Sequence, residues 1–71
     1  MREIQEHYEK LGLHPIDVME AWMTVEEYRG FLRGNVIKYI GRYPQKGGRD
    51  DLVKANYYLF RLIKTYPDDA I

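Results

Sequence analysis

The sequence contains no cysteine, and its apolar runs are only a few residues long. The absence of cysteine excludes a disulfide framework, a thiolate metal site and a cysteine nucleophile. Apolar runs this short cannot span a bilayer as a helix. The chain starts with polar and acidic residues over positions 1–6, which is not the pattern of a signal peptide. We therefore expect a cytoplasmic protein with no membrane partner.

A surplus of positive charge is also missing, because eleven Lys and Arg residues balance eleven Asp and Glu residues. General nucleic-acid binders normally carry such a surplus, so a long nucleic acid is not an expected partner. The distribution of charge is uneven, however. The stretch from Arg29 to Lys46 also includes Arg33, Lys38 and Arg42 and contains no acid. A basic patch on a neutral chain favours a small anionic partner.

The length of 71 residues predicts a single domain spanning residues 1–71. A core of this size is marginal alone, so we expect a homo-oligomer. Apolar residues recur at helical spacing almost throughout, and no segment alternates long enough to indicate a sheet. The predicted fold class is all-α: a small helical domain with a long antiparallel helix hairpin.

Two short helices are expected in the first third of the chain. Ile4, Tyr8 and Leu11 fall on one face of the first, and Gly12 can close it. Pro15 offers the start of the second. The apolar face of the second helix would contain Ile16, Met19 and either Trp22 or Met23.

The third helix should begin at Thr24, because Thr24 to Glu27 reads as a capping box. It either runs to Tyr43 or breaks near Gly30 and Gly34, since each interior glycine costs roughly 1 kcal/mol relative to alanine. One face of this helix is apolar and carries Leu32, Val36, Tyr39 and Tyr43.

Residues 44–48 form the clearest predicted loop of the chain. Asp50 is the expected N-cap of the last helix, which should end at Tyr66 before Pro67. The predicted core stripe of that helix consists of Leu52, Ala55, Leu59, Leu62 and Tyr66.

The second face of the third helix carries the strongest functional signal. Asn35, Lys38 and Arg42 lie along one line, and Arg33 and Lys46 sit near its ends. Phosphate recognition needs converging donors without competing carboxylates, and no acid is near in sequence. The alternative is a solvated polar face. A glycine at position 34 favours the functional interpretation, because it permits close approach by a ligand or another helix.

The loop from Lys46 to Asp51 exposes backbone N–H groups ahead of a helix. It lacks the spacing of a phosphate-binding P-loop, and two aspartates would repel a phosphate at that helix N-terminus. An ordinary turn between helices is the favoured interpretation of its backbone, with Lys46 kept as a phosphate contact.

A metal site of the protein's own is not expected. Glu3, Glu6 and Glu9 pair carboxylates on one helix face, but the second acidic helix of a two-helix Mg²⁺ site is missing. Mg²⁺ would enter only with a nucleotide. His7 is a candidate ligand contact or general acid, whereas His14 is more simply a surface residue.

Lys54, Tyr58 and Arg61 form a second basic row, on the last helix. This row could join the anion site or form an oligomer contact, and the sequence leaves both alternatives open.

Several motifs together resemble a family of small phage and prophage proteins of unknown function, which is related to the nucleotide kinase of T-odd coliphages. The motifs are His7-Tyr8, Pro15-Ile16-Asp17, Gly34-Asn35-Val36-Ile37-Lys38-Tyr39-Ile40-Gly41-Arg42, Lys46-Gly47-Gly48, Asp51-Leu52-Val53-Lys54-Ala55 and Tyr58-Leu59. They cover roughly residues 7–63, nearly the whole chain. The resemblance implies a phage-encoded, nucleotide-related protein acting in an infected bacterial cell.

The first functional hypothesis is binding or sequestration of a nucleotide, including a cyclic nucleotide that signals in host immunity. Asn35 would bind a base or ribose edge, and Tyr39, Tyr8 or Tyr43 would stack on the base. The full set of expected ligand-binding residues is His7, Tyr8, Arg33, Asn35, Lys38, Tyr39, Arg42, Lys46, Lys54 and Tyr58.

Two alternatives belong to other classes. One is a nucleoside monophosphate kinase without a P-loop, acting on deoxynucleotides, with His7 or Asp51 as candidate catalytic groups. The other is a ligand-free adaptor or inhibitor that binds a host protein through its tyrosine and basic surface.

Overall fold

The computed structural model describes residues 14–68, which form three helices. These are α1 (Pro15–Trp22), α2 (Val25–Arg42) and α3 (Gly48–Lys64). No strand occurs between residues 14 and 68, so the all-α prediction is confirmed for this range. None of the three helices is long and apolar enough to cross a membrane. The helix expected around Ile4, Tyr8, Leu11 and Gly12 lies outside the described residues, as do His7 and the three N-terminal glutamates.

The capping box predicted for α2 is present. Thr24 Oγ1 accepts a hydrogen bond from the Glu27 backbone N–H at 3.1 Å. Glu27 Oε1 in turn accepts one from the Thr24 backbone N–H at 2.8 Å. The two bonds satisfy donors that a helix N-terminus otherwise leaves without partners, which is why α2 begins at Val25.

α2 continues without interruption to Arg42, so the alternative of a break near Gly30 and Gly34 is wrong. Helix propagation is cooperative, and packing along one side outweighs the propensity cost of isolated glycines. A Cβ placed at Gly34 would have no described atom within 4 Å. Of the two alternatives for Gly34, close approach by another helix is not seen within residues 14–68, and close approach by a ligand stays a prediction.

The predicted loop is confirmed, but Asp50 as the cap of α3 is wrong. The helix begins at Gly48, and Gly47 occupies the N-cap position. Gly48 adopts φ 54°, a left-handed conformation that favours glycine. Asp50 and Asp51 consequently lie in the first turn, where a carboxylate interacts favourably with the helix dipole.

α2 and α3 form the predicted antiparallel hairpin. Arg42 contacts Asp51 beside the loop, and at the other end Arg29 reaches Thr65 just past the end of α3. Arg29 donates to the Thr65 carbonyl at 2.6 Å and to its hydroxyl at 2.8 Å. A cation there also interacts favourably with the helix dipole, so Arg29 helps to terminate α3.

The core between the two helices is small. Among the described residues its buried side chains are Tyr28, Leu32, Ala55 and Asp51. The apolar face predicted for α2 is inward at Leu32 and half-buried at Val36 and Tyr39, whereas Tyr43 is exposed. The hairpin therefore buries little apolar surface within the described residues.

The core stripe predicted for α3 is largely wrong. Leu52, Leu59 and Tyr66 are 39%, 43% and 51% exposed. The inward row consists of Asp51, Ala55, Tyr58 and Leu62. This row differs from the predicted stripe because Asp51 and Tyr58 point inward, whereas apolar periodicity assigned the inward positions to the adjacent Leu52 and Leu59.

Candidate functional site: an aromatic cleft

A cleft with a volume of about 470 Å³ opens where α1 meets the hairpin. We call it the aromatic cleft. Its lining consists of His14, Pro15, Ile16, Met19, Phe31, Asn35, Lys38, Tyr39, Tyr57, Tyr58 and Arg61. All three helices contribute, so the cleft exists only because α1 packs beside the hairpin.

Four aromatic rings form the wall of the cleft. Tyr39 of α2 and Tyr58 of α3 are stacked, with ring centroids 5.9 Å apart and planes inclined by 8°. Phe31 and Tyr57 meet the Tyr58 ring edge-on, at 6.1 and 5.3 Å. Burial raises the pKa of the Tyr58 hydroxyl, so this ring stays neutral at physiological pH. The cluster presents a rigid apolar surface with polar tips.

Three cations surround the Tyr39 ring. Lys38 Nζ lies 5.0 Å from the ring centroid, Arg42 Cζ also 5.0 Å, and Lys54 Nζ 5.5 Å. These distances fall within the range of cation–π attraction. Residues predicted from separate sequence motifs thus converge on one ring, and Lys38 lies in the cleft wall itself.

Arg42 has an acidic partner. Its guanidinium binds Asp51 through two hydrogen bonds, Nε to Oδ2 at 2.9 Å and Nη2 to Oδ1 at 3.1 Å. The premise that this face lacks matching acids is therefore wrong at Arg42. The acid comes from another helix, so sequence proximity on α2 could not reveal it.

The ion pair changes the protonation of both partners. The hydrogen bond from Arg42 holds the pKa of the Asp51 carboxyl below its usual value, although burial opposes this shift. The same bond raises the pKa of Arg42. Asp51 is 1% exposed and ionised. A carboxylate whose pKa is lowered in this way is a weak general base. Two of the donors of Arg42 are engaged by this carboxylate.

Asn35 lies half-buried in the cleft wall. Its Nδ2 donates to the Phe31 carbonyl one turn earlier, at 2.9 Å. That bond fixes the amide orientation toward the helix backbone. Lys54 is exposed and is the most distant of the three cations around Tyr39. Arg33 and Lys46 are also exposed and do not line the cleft. His7 and Tyr8 lie outside the described residues.

The cleft includes residues that sequence reasoning did not assign to the ligand. Phe31 and Tyr57 are not among the expected ligand residues. Ile16 and Met19 were expected as packing residues. Arg61 was noted only in the second basic row. These side chains became part of the site through the docking of α1.

Arg61 connects α1 to the hairpin. It donates to the Tyr28 hydroxyl at 3.2 Å and to Asp17 Oδ1 at 3.1 Å, and Glu20 lies 3.8 Å away. The hydrogen bond to Tyr28, followed by the one to Asp17, raises the pKa of Arg61. A smaller cavity of about 320 Å³ lies on this side, lined partly by Phe60 and Lys64.

Candidate metal ligands are not grouped within the part of the chain that is described. Between residues 14 and 68, no three His, Asp or Glu side chains are arranged to hold a metal ion. The groups that the cleft offers a ligand are its aromatic rings, the Asn35 amide, the Lys38 ammonium, the His14 imidazole and the Arg61 guanidinium.

Fold and site together define a small all-α protein built on a helix hairpin with a lateral cleft. A family profile described as a protein of unknown function, DUF3310, matches residues 3–60. This match covers more than half of the chain, and the protein belongs to that family. No curated protein and no solved structure matches the chain.

Proposed function

We propose that the protein binds a nucleotide in the aromatic cleft and holds it without converting it. The observation that carries this proposal is the shared location of Asn35, Lys38, Tyr39 and Tyr58. These expected ligand residues come from two helices and line one cleft of about 470 Å³. Small-molecule sites commonly have volumes of roughly 300–1,000 Å³, and a nucleotide fits that range.

Each wall has a chemical role in this proposal. The base packs against the ring cluster around Tyr58, a contact worth roughly 1–3 kcal/mol in nucleic-acid sites. Lys38 binds a phosphate, because its ammonium group is exposed and carries three donors. Arg42 contributes mainly by fixing the Tyr39 ring, because Asp51 engages its guanidinium.

Binding is favoured over phosphoryl transfer. Transfer requires two substrates, a metal and a residue that orients the nucleophile. Of the two candidate catalytic groups only Asp51 is described, and its carboxylate is buried against Arg42. The kinase alternative predicts transfer of radiolabelled phosphate from ATP to deoxynucleoside monophosphates, and we expect none.

The biological setting that we propose follows from the resemblance to phage proteins. A very small protein that sequesters a nucleotide can lower the concentration of a host signal without catalysis. The ligand panel for testing should therefore contain cyclic nucleotides beside mono- and diphosphates.

A pair of lysine variants tests the location of the site. Lys38→Ala removes the ammonium 5.0 Å from Tyr39, and Lys64→Ala removes a comparable one 5.3 Å from Phe60, at the smaller cavity. Titration calorimetry with the panel should show a Kd raised about tenfold or more by Lys38→Ala, since each tenfold step is about 1.4 kcal/mol. Lys64→Ala should bind like the wild type.

Thermal melts separate binding from folding. A nucleotide that binds the native state raises Tm, and the ligand-free Tm of Lys38→Ala should equal that of the wild type. The aromatic cleft is the wrong site if Lys64→Ala loses binding and Lys38→Ala keeps it. No stabilisation by any nucleotide would contradict the proposal and favour the adaptor alternative.

A further inference from the structure

The side of the hairpin that faces away from α1 is apolar. We call it the back face. It is formed by Val36 and Ile40 of α2, by Tyr43 just past the end of α2, and by Leu52, Leu59 and Ile63 of α3. Ile40 and Ile63 are 48% and 61% exposed. Within the described residues, these six side chains line neither the aromatic cleft nor the smaller cavity.

Helical geometry places the back face opposite the cleft. Successive residues turn by about 100° around a helix axis. With Leu32 of α2 pointing inward, Ile40 turns about 80° to one side and Lys38 about 120° to the other. With Ala55 of α3 pointing inward, Ile63 and Tyr58 likewise lie on opposite sides of the inward direction. Because the two helices are antiparallel, the flank of α2 that carries Ile40 and the flank of α3 that carries Ile63 lie on the same side of the hairpin. The six apolar residues therefore form one continuous surface.

The back face has the composition of an interface core. No acid occurs in residues 28–49 or 52–66 of the chain. The polar residue at its centre is Asn56, and Arg33 lies at its rim. Interface cores are depleted in charge, whereas an ordinary solvated helix face carries acids and bases together. The six apolar side chains themselves carry no charge, so they bring no like charge to a copy of the same face.

The size of the back face approaches that of a dimer interface. Helices of this length extend roughly 25 Å, and two packed helices present a width of about 20 Å. The resulting projection of roughly 500 Å² becomes larger when side-chain relief is counted, and standard interfaces bury about 800 Å² per partner. Its large exposed side chains outnumber the three buried apolar residues of the described core.

We infer that a second copy of this chain packs on the back face, so that two hairpins form a four-helix arrangement about a two-fold axis. The net charge of zero means that two copies do not repel each other. The inference does not rest on nucleotide binding.

Sedimentation of the 71-residue chain tests the assembly. The wild type should be dimeric at tens of micromolar. Leu59→Glu and Ile40→Glu each place a charge in the back face and should raise the dimer dissociation constant at least tenfold, since burying an unpaired charge costs several times RT. Trp22→Glu is the matched control, because Trp22 is 78% exposed on α1 and should leave the dimer intact.

A cross-linking measurement tests the dimer without placing a charge in the back face, so it does not depend on variants that could destabilise the fold. The chain contains no cysteine, so Asn56→Cys introduces a single thiol at the centre of the back face. Near a two-fold axis this residue lies close to its own copy, and oxidation should yield a disulfide-linked dimer. Trp22→Cys should remain largely monomeric under the same conditions.

The inference is overturned by a wild type that is monomeric at every concentration measured. In that case, a lower Tm of Leu59→Glu would indicate that residues 1–13 cover the face. It is also overturned if Trp22→Glu dissociates the dimer and the two back-face variants do not. Lys38→Ala should leave the mass unchanged, so loss of ligand and loss of the dimer are distinguishable.

Discussion

At the residue scale, Arg42 of α2 and Asp51 of α3 form an ion pair at the loop end of the hairpin. Asp51 occupies an inward position in the first turn of α3, and the two-pronged guanidinium satisfies both carboxylate oxygens. An isolated buried charge would be strongly destabilising, so the two residues are required together. Their contact also orients Arg42 beside the Tyr39 ring.

We expect the ion pair to make stability sensitive to acid. The pKa of Asp51 in the folded protein is below 3.8, its ordinary value. The ion pair contributes fully to the free energy of unfolding above the ordinary pKa, where Asp51 is ionised in both the folded and the unfolded protein. This contribution is lost as the pH falls through the lowered pKa of the folded protein. Asp51→Asn should reduce Tm at pH 7 by at least about 5 °C.

Asp51→Asn should also flatten the decline of Tm below pH 4, as measured by circular dichroism. Asp50→Asn is the control, because Asp50 is the neighbouring exposed acid in the same turn. Equal effects of the two substitutions would show that the buried pair is not the source of the acid sensitivity.

At the element scale, the turn between α2 and α3 depends on two adjacent glycines for different reasons. Gly48 needs a left-handed conformation, with φ 54°. Gly47 needs space, because a Cβ at that position would overlap the Asp51 carboxylate. The turn therefore brings the N-terminus of α3 close enough for Asp51 to reach Arg42.

Gly47→Ala should lower the free energy of unfolding by about 1–3 kcal/mol, the usual cost of overpacking. Gly41→Ala is the contrasting variant, since a Cβ there meets no described atom within 4 Å and the position is inside a helix. It should be neutral or stabilising by up to about 1 kcal/mol. Urea denaturation measures both. A neutral Gly47→Ala would mean that Asp51 can move without cost.

At the scale of the whole molecule, α1 decides whether a cleft exists. Arg61 attaches α1 through Asp17 and Glu20 and at the same time contacts Tyr28 in the hairpin. The apolar contribution of α1 to the cleft comes from Ile16 and Met19. A short helix held mainly by such contacts belongs to the less stable part of a fold.

Arg61→Ala should release α1 while leaving the hairpin folded. Hydrogen exchange followed by mass spectrometry should show amides of residues 15–22 exchanging at least about tenfold faster, with α2 and α3 much less affected. Arg49→Ala, at an exposed position of α3, is the control. Unchanged exchange in α1 would show that its apolar contacts suffice for docking.

Local signals in the sequence determined the helices. The capping box at Thr24, the proline at position 15 and the glycine-rich loop each act through neighbouring backbone groups, so their effects can be read from adjacent residues. The shared position of Asn35, Lys38 and Tyr39 in one cleft wall also follows from their spacing along one helix, whereas their role in binding a ligand stays a prediction. A family profile of unknown function matches residues 3–60, whereas the relation to a phage nucleotide kinase stays a prediction.

Only the tertiary structure decided which face of α3 is inward and which residues share a site. Periodicity predicts a leucine stripe because it considers only where apolar residues recur. It cannot detect that Asp51 is neutralised by Arg42 from another helix. Likewise, Tyr57 and Arg61 joined the cleft through the docking of α1. Burial and convergence are properties of pairs distant in the chain, so they depend on packing, which no local pattern encodes.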